Sequence, residues 1–179
     1  MIFNAGDRVF VDESKSNVYV MAATAVAPAA HADVRRSLRR LLRAGQTRLH
    51  FTRESDSRRR EILATMNGLD VRSAVWAVRG ESDRVARPRC LVAMVGAFAR
   101  DGVAELLLEC DASLERSDRQ VIERVLRSGR ERPGLTYRHV PPTEDPVLWV
   151  SDAVAWCVQR RGEWLRRIEP LVERRVMRP

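Results

Sequence analysis

The stretch "RVFVDES", Arg8 to Ser14, decides how the chain is read. A run of strand-forming residues ends in two adjacent acids, Asp12 and Glu13. On a period of two, Asp12 shares a face with Phe10, so it points towards a packed surface. A polar stretch from Glu13 to Asn17 follows. A second β-rich run, Val18 to Val26, then gives the pair the signature of a hairpin.

Beyond the hairpin the periodicity changes. Asp33 to Ala44 is arginine-rich, with Val34, Leu38, Leu41 and Leu42 at helical spacing and Gly45 placed as a C-terminal cap. Thr47 to Thr52 reads as short and extended, and Ser57 to Met66 as a second helix. Val71 to Val78 alternates as a strand, and Arg87 to Ala99 is an apolar helix. In "VAELLLECD", Val103 to Asp111, the face Ala104, Leu106, Leu108 and Cys110 is apolar and predicts core. Ser117 and Gln120 have the spacing of a capping box, opening a helix to Ser128 that Gly129 closes. Leu135 to Val140 is a short strand. Asp145 as N-cap with Pro146 at the first helical position opens a helix, and a last amphipathic helix is expected over about 164–177. Alternating strands and helices imply a layered α/β fold. The expectation is one domain over 1–179, a mixed five-stranded sheet flanked by helices, and a helical insertion over about 31–68 between strands 2 and 3.

Composition narrows the function classes. Hydrophobic residues make up 45% of the chain, enough for a core. The net charge is +8, and Lys15 is the only lysine, so the basic surface is arginine. Arginine suits bidentate phosphate contacts, which makes nucleic acid the expected partner; a codon bias towards arginine would give the same composition. Cys90, Cys110 and Cys157 each lie in apolar segments without metal-ligand spacing and read as reduced core residues. No signal peptide or membrane-length apolar run is seen, so a cytoplasmic protein without a membrane partner is expected. Oligomeric state leaves no mark in the sequence. There is no phosphate-binding glycine loop, dinucleotide fingerprint or nucleophile elbow. Trp76, Trp149 and Trp156 read as core.

Three acids fall where burial is expected. Asp12 ends the first strand and Asp111 the fourth. Asp152 lies among Leu148, Trp149, Ala155 and Trp156, on the most apolar stripe of its helix. A buried carboxylate must be protonated, paired with a base or bound to a metal. Ligands of α/β sheets gather outside the carboxyl ends of strands. Clustered carboxylates suit a hard divalent cation, Mg²⁺ or Mn²⁺. Glu109, on the strand face of Asp111, is a further possible ligand.

"VFVDES", "NVYVMAATAV", "LLLECD" and "LWVSDAVAWCVQR" together resemble the bacterial ribonuclease-H-like family catalogued as domain of unknown function 3800. The resemblance spans essentially the whole chain. It implies a ribonuclease-H-like fold with an acidic divalent-metal centre, onto which Asp12, Asp111 and Asp152 map, with Glu13 and Ser14 in the first motif. Lys15 stands where the family usually has glycine. The segment Arg87 to Ala99 lacks the acid that many ribonuclease-H-like enzymes carry there; Glu54, in "LHFTRES", is a possible substitute, and His50 is expected to face the site.

The expected function is divalent-metal-dependent cleavage of phosphodiester bonds in RNA or an RNA/DNA hybrid. Asp12, Glu13, Glu54, Asp111 and Asp152 are the catalytic candidates, and Asp12, Glu109, Asp111 and Asp152 the metal candidates. Ser14, Lys15, His50, Arg53, Arg58, Arg59 and Arg60 are the expected nucleic-acid contacts. The competing reading is a non-catalytic nucleic-acid-binding or regulatory protein that keeps the fold.

Overall fold

In a computed structural model, residues 2–16, 18–128 and 134–177 are described, with 174–177 as backbone alone. Six strands, β1 (Arg8–Lys15), β2 (Val18–Val26), β3 (Arg72–Arg79), β4 (Glu105–Glu109), β5 (Thr136–Val140) and β6 (Val172–Met177), form one sheet in the order β5-β4-β1-β2-β3-β6. The β1–β2 and β2–β3 pairs are antiparallel. The β1–β4, β4–β5 and β3–β6 pairs are parallel. The helices are α1 (Pro28–Arg39), α2 (Asp56–Met66), α3 (Asp83–Asp101), α4 (Glu115–Ser128), α5 (Val147–Arg160) and α6 (Gly162–Arg167), with a 3-10 turn at Phe51–Arg53.

The alternation in β1 sorts the two layers. Phe10 packs with α1, α2, α5 and α6 in one apolar cluster, through Val34, Leu38, Leu63, Val154 and Trp164. Val9 and Val11 point the other way, into a cluster with Cys90, Met94 and Phe98 of α3 and Ile122 of α4. Both sheet faces are therefore covered, which is why β2 is buried at every residue after Val18. The period of two then puts Asp12 on the α5 face and Glu13 on the α3 face.

A buried hydroxyl chain fixes α5 against the sheet. Ser151 Oγ donates to the Phe10 carbonyl at 2.8 Å and lies 2.9 Å from Thr24 Oγ1, which is 3.0 Å from Ser73 Oγ. This ties the helix residue before Asp152 to the strand residue two before Asp12.

Several local expectations are corrected. The helix over 164–177 does not form: α6 stops at Arg167, and 172–177 is the edge strand β6, a sixth strand where five were expected. Pro170 cannot continue a helix and disfavours helical backbone at Glu169. The first helix begins at Pro28 instead of Asp33 and ends at Arg39, well before Gly45. Segment 47–52 carries a helical turn rather than running fully extended. The Ser117 capping box is not made, because α4 already starts at Glu115 and Ser117 Oγ donates back to the Leu114 carbonyl. Gly129 lies outside the described residues. Asp145 Oδ1 accepts from Val147 N at 3.1 Å, but α5 starts at Val147, so Pro146 and not Asp145 holds the N-cap position. Cys90 and Cys157 are buried, but Cys110 is exposed, because β4 ends one residue before it.

Candidate functional site

Register builds the site. Val11 on β1 is paired with Leu108 on the parallel neighbour β4, so the next step sets Asp12 beside Glu109. Glu109 ends β4, whereas Asp12, expected at a strand end, lies three residues before the end of β1, which runs on to Lys15; both are on the α5 face. Asp152 on α5 comes over them, anchored by the Ser151–Phe10 bond. All three are half-buried.

Their electrostatics are unfavourable as placed. Burial pushes the Asp12 carboxyl well above the usual carboxylate range, and Glu109, Asp152 and Glu13 push it further; the Glu13 N–H, 2.7 Å from Asp12 Oδ1, opposes them. Asp152 is raised to about 6, chiefly by burial and then by Glu109, against a 3.2 Å bond from the Phe51 N–H. Glu109 is also raised, by burial first; Arg48 and a hydrogen bond shared with Asp12 draw it back. Arg48 Nη1 reaches Glu109 at 3.3 Å, while its Nη2 donates to His50 Nδ1 at 3.0 Å. Burial, Arg48 and Arg53 together lower the His50 pKa. Three carboxylates with one guanidinium between them form an acidic centre that strongly favours protons or cations.

The expected residues divide. Asp12 and Asp152 are brought together; Asp111 is not with them. The alternation that aligned Asp111 with Glu109 holds only while the strand lasts, and β4 stops at Glu109. Asp111 lies in the following turn, fully exposed, with Oδ1 accepting from Ser113 N at 2.9 Å and Ser113 Oγ at 2.6 Å, bonds that lower its pKa. Glu109 takes the position beside Asp12. Glu13 faces the opposite side of the sheet, where it meets Arg87 at 2.9 Å and Lys15 at 3.1 Å. Glu54 is buried against Gln46 at 3.3 Å and close enough to His50 to affect its pKa. The Ser14 carbonyl accepts from Gln159, so its backbone serves the β1–α5 packing.

The arginine cluster is mostly built into the fold. Arg58 donates to the Leu41 carbonyl and pairs with Glu61. Arg59 donates to the Phe51 and Thr52 carbonyls at 2.9 and 2.6 Å and lies over Trp156 at 4.4 Å. Arg60 pairs with Glu163 at 3.0 Å and lies over Trp164. Arg53 is exposed.

Sequence reasoning missed two residues. Arg48 gave no motif signal, standing alone in a loop. Arg87 is 4% exposed and donates to Asp118 twice, at 2.7 Å each, to Tyr19 Oη at 3.1 Å, and pairs with Glu13. His139 Nε2 meets Asp118 Oδ2 at 3.0 Å. The only available signal was an arginine and an aspartate inside otherwise apolar helix faces.

A chain in the structure of the PCNA:RNase HII complex from Archaeoglobus fulgidus superposes with a TM-score of 0.53 at 14% identity, over 91% of this chain and 76% of that one. The fold is ribonuclease-H-like. Bst-RNase HIII in complex with Mn²⁺ superposes with a TM-score of 0.53 at 16% identity, and a mutant of Bst-RNase HIII with 0.52 at 15%. Each alignment covers 93% of this chain and 54% of the other, so the chain spans about half the length of those two proteins. Identities this low establish the fold alone. No protein-family model matches the sequence, and no curated protein does. No helix among the described residues is long and apolar enough to cross a membrane.

The donor set has the chemistry a hard divalent cation requires, with three carboxylates and no competing soft ligand. As the side chains stand, no group of three or more His, Cys, Asp or Glu among the described residues is arranged around a common ion. A cation would therefore replace the Asp12–Glu109 hydrogen bond as the source of neutralisation.

Proposed function

We propose that this chain is a divalent-metal-dependent nuclease that cleaves phosphodiester bonds in RNA or an RNA/DNA hybrid, and that it belongs with the ribonuclease-H-like proteins of domain of unknown function 3800. The observation that carries this reading is the grouping of Asp12 on β1, Glu109 at the end of β4 and Asp152 on α5, where burial raises all three and neighbouring carboxylates add to it. A fold does not retain such a cluster for stability, since pairing or removing the charges would stabilise it. The solved structures of like fold support the substrate class, and the Mn²⁺ complex among them supports the cation.

Asp12, Glu109 and Asp152 would hold Mg²⁺ or Mn²⁺, which would supply an activated water and charge stabilisation at the leaving oxygen. The remaining roles follow from the chain itself. Arg48 positions Glu109 and neutralises part of the site until a cation binds. His50, with Nδ1 accepting from Arg48 and its pKa lowered, is neutral near pH 7 and carries its proton on Nε2. That N–H can donate to a phosphate oxygen. Asp111 lies outside this arrangement.

The Arg48–Glu109 pair also favours a second reading, since a guanidinium can stand in for a cation at a site that only binds. The test is incubation of an end-labelled RNA/DNA hybrid and a single-stranded RNA with Mg²⁺ or Mn²⁺, with chelator controls. Metal-dependent cleavage that Asp12→Asn abolishes supports the nuclease. Tight binding with no cleavage under any metal selects the non-catalytic protein.

A further inference from the structure

The sequence directs attention to the arginines of α2, but the structure ties three of them internally. The free guanidinium groups lie elsewhere. Ala32, Arg35, Arg36 and Arg39 recur at helical spacing on α1 and, with Arg40 at its C-cap, line one open groove of about 530 Å³. The small side chain of Ala32 leaves the space between them. Arg35 is engaged by Asp145 at 3.4 Å, and Arg36 by Asp33 at 2.7 Å. Arg39 at the end of α1, Arg40 at its C-cap and Arg43, four residues past the helix, are exposed, and their side chains have no partner among the described residues. Three unpaired guanidinium groups at one helix end repel one another. Stabilisation of the helix dipole accounts for one or two of them at most.

Their location relates them to the acidic centre. α1 packs through Val34 and Leu38 on the same sheet face as Asp12 and α5. Arg48, whose guanidinium is on Glu109, is five positions on from Arg43. Five residues span at most about 18 Å. At about 3.4 Å of rise per phosphate along a strand, this is roughly five nucleotides. The loop that joins the two is held by Gln46, whose Oε1 accepts from Arg43 N at 2.9 Å and whose amide donates to Glu54 at 3.3 Å.

We propose that Arg39, Arg40 and Arg43 form a phosphate-binding stripe that grips the backbone of a nucleic-acid strand, its Arg43 end about five nucleotides or fewer from Arg48 at the carboxylate centre. This takes nucleic acid as the partner from the reading above and depends on no cleavage step. Guanidinium forks bind phosphate oxygens in pairs, and these contacts carry no base specificity. The stripe therefore sets affinity and register.

The test is fluorescence anisotropy of a labelled RNA/DNA hybrid bound to the full chain in chelator, across a salt series. Wild type is compared with R39Q/R40Q/R43Q and with R116Q/R119Q/R124Q. The second triple removes equal charge from exposed positions of α4, on the opposite sheet face. Each lost phosphate contact lowers the slope of log K against log salt by about 0.9. The stripe variant should lose about 2 to 3 in slope and at least tenfold in affinity at low salt, with the α4 variant within twofold of wild type. Circular dichroism and melting confirm that both variants fold. Equal losses in both triples would make net charge the cause and overturn the stripe. An unchanged stripe variant would overturn it and leave the proposed function standing. No binding by wild type would overturn both.

Discussion

Asp152 gives the most direct handle on the site at the level of single residues. Its carboxyl is raised to about 6 in the folded chain, against about 3.9 in an unfolded one. Folding therefore favours the protonated form. The sign follows: stability is full below about pH 4 and is lost as pH rises through 6, by about 2–3 kcal/mol from this group. In chelator, denaturant melts should show wild type losing stability between pH 4 and 7. Asp152→Asn keeps an acceptor for the Phe51 N–H but has no charge, so it should be flatter over that window and more stable at pH 7. A mutant that is less stable at pH 7 would mean the carboxylate is a paired structural ion. The same residue shows what was legible beforehand. An acid on an apolar helix stripe and an acid on the packed face of a strand stand out in sequence, so Asp12 and Asp152 were visible, although β1 runs on to Lys15 instead of ending at Asp12. The choice between Glu109 and Asp111 was not, because it depends on which residue ends β4, and "LLLECD" continues as a strand by propensity.

At the scale of elements, buried polar links set the relative heights of helices and strands. Arg87 joins α3 to β1 through Glu13 and to α4 through Asp118, directly behind Asp12. Arg87→Met strands two carboxylates, one of them almost fully buried, and should cost about 3–5 kcal/mol in a urea melt. Adding Asp118→Leu removes the more buried of the two stranded charges, and the double variant should recover part of the loss. Additive losses would show that the pair is not the unit that matters. On the other face, Ser151→Ala removes the hydroxyl that locks α5 to β1. It should cost about 1 kcal/mol of stability, and loosening the placement of Asp152 should weaken Mn²⁺ affinity measured by calorimetry. Periodicity revealed most of these elements. It failed at the last helix, where an amphipathic arginine pattern outweighed Pro170, and at the start of α1, where the alanines of "PAAHA" carry helix propensity but no apolar stripe.

For the whole molecule, strand order explains why the acids meet. The central strands β1 and β4 run parallel in a register that brings the end of β4 beside Asp12, and α5 crosses the face to which Asp12 points. Alternating strands and helices made the layered α/β class legible in sequence. The edge position of β6 was not, since nothing local distinguishes a parallel edge strand from a short helix. The account's central claim is that Asp12, Glu109 and Asp152, and not Asp111, constitute a divalent-cation centre. Mn²⁺ binding followed by electron paramagnetic resonance, on wild type, Asp12→Asn, Glu109→Gln and Asp111→Asn, tests it most directly. The account predicts binding in wild type and Asp111→Asn, and at least a tenfold loss of affinity in Asp12→Asn and Glu109→Gln. Binding that survives Asp12→Asn, or is lost in Asp111→Asn alone, would contradict it.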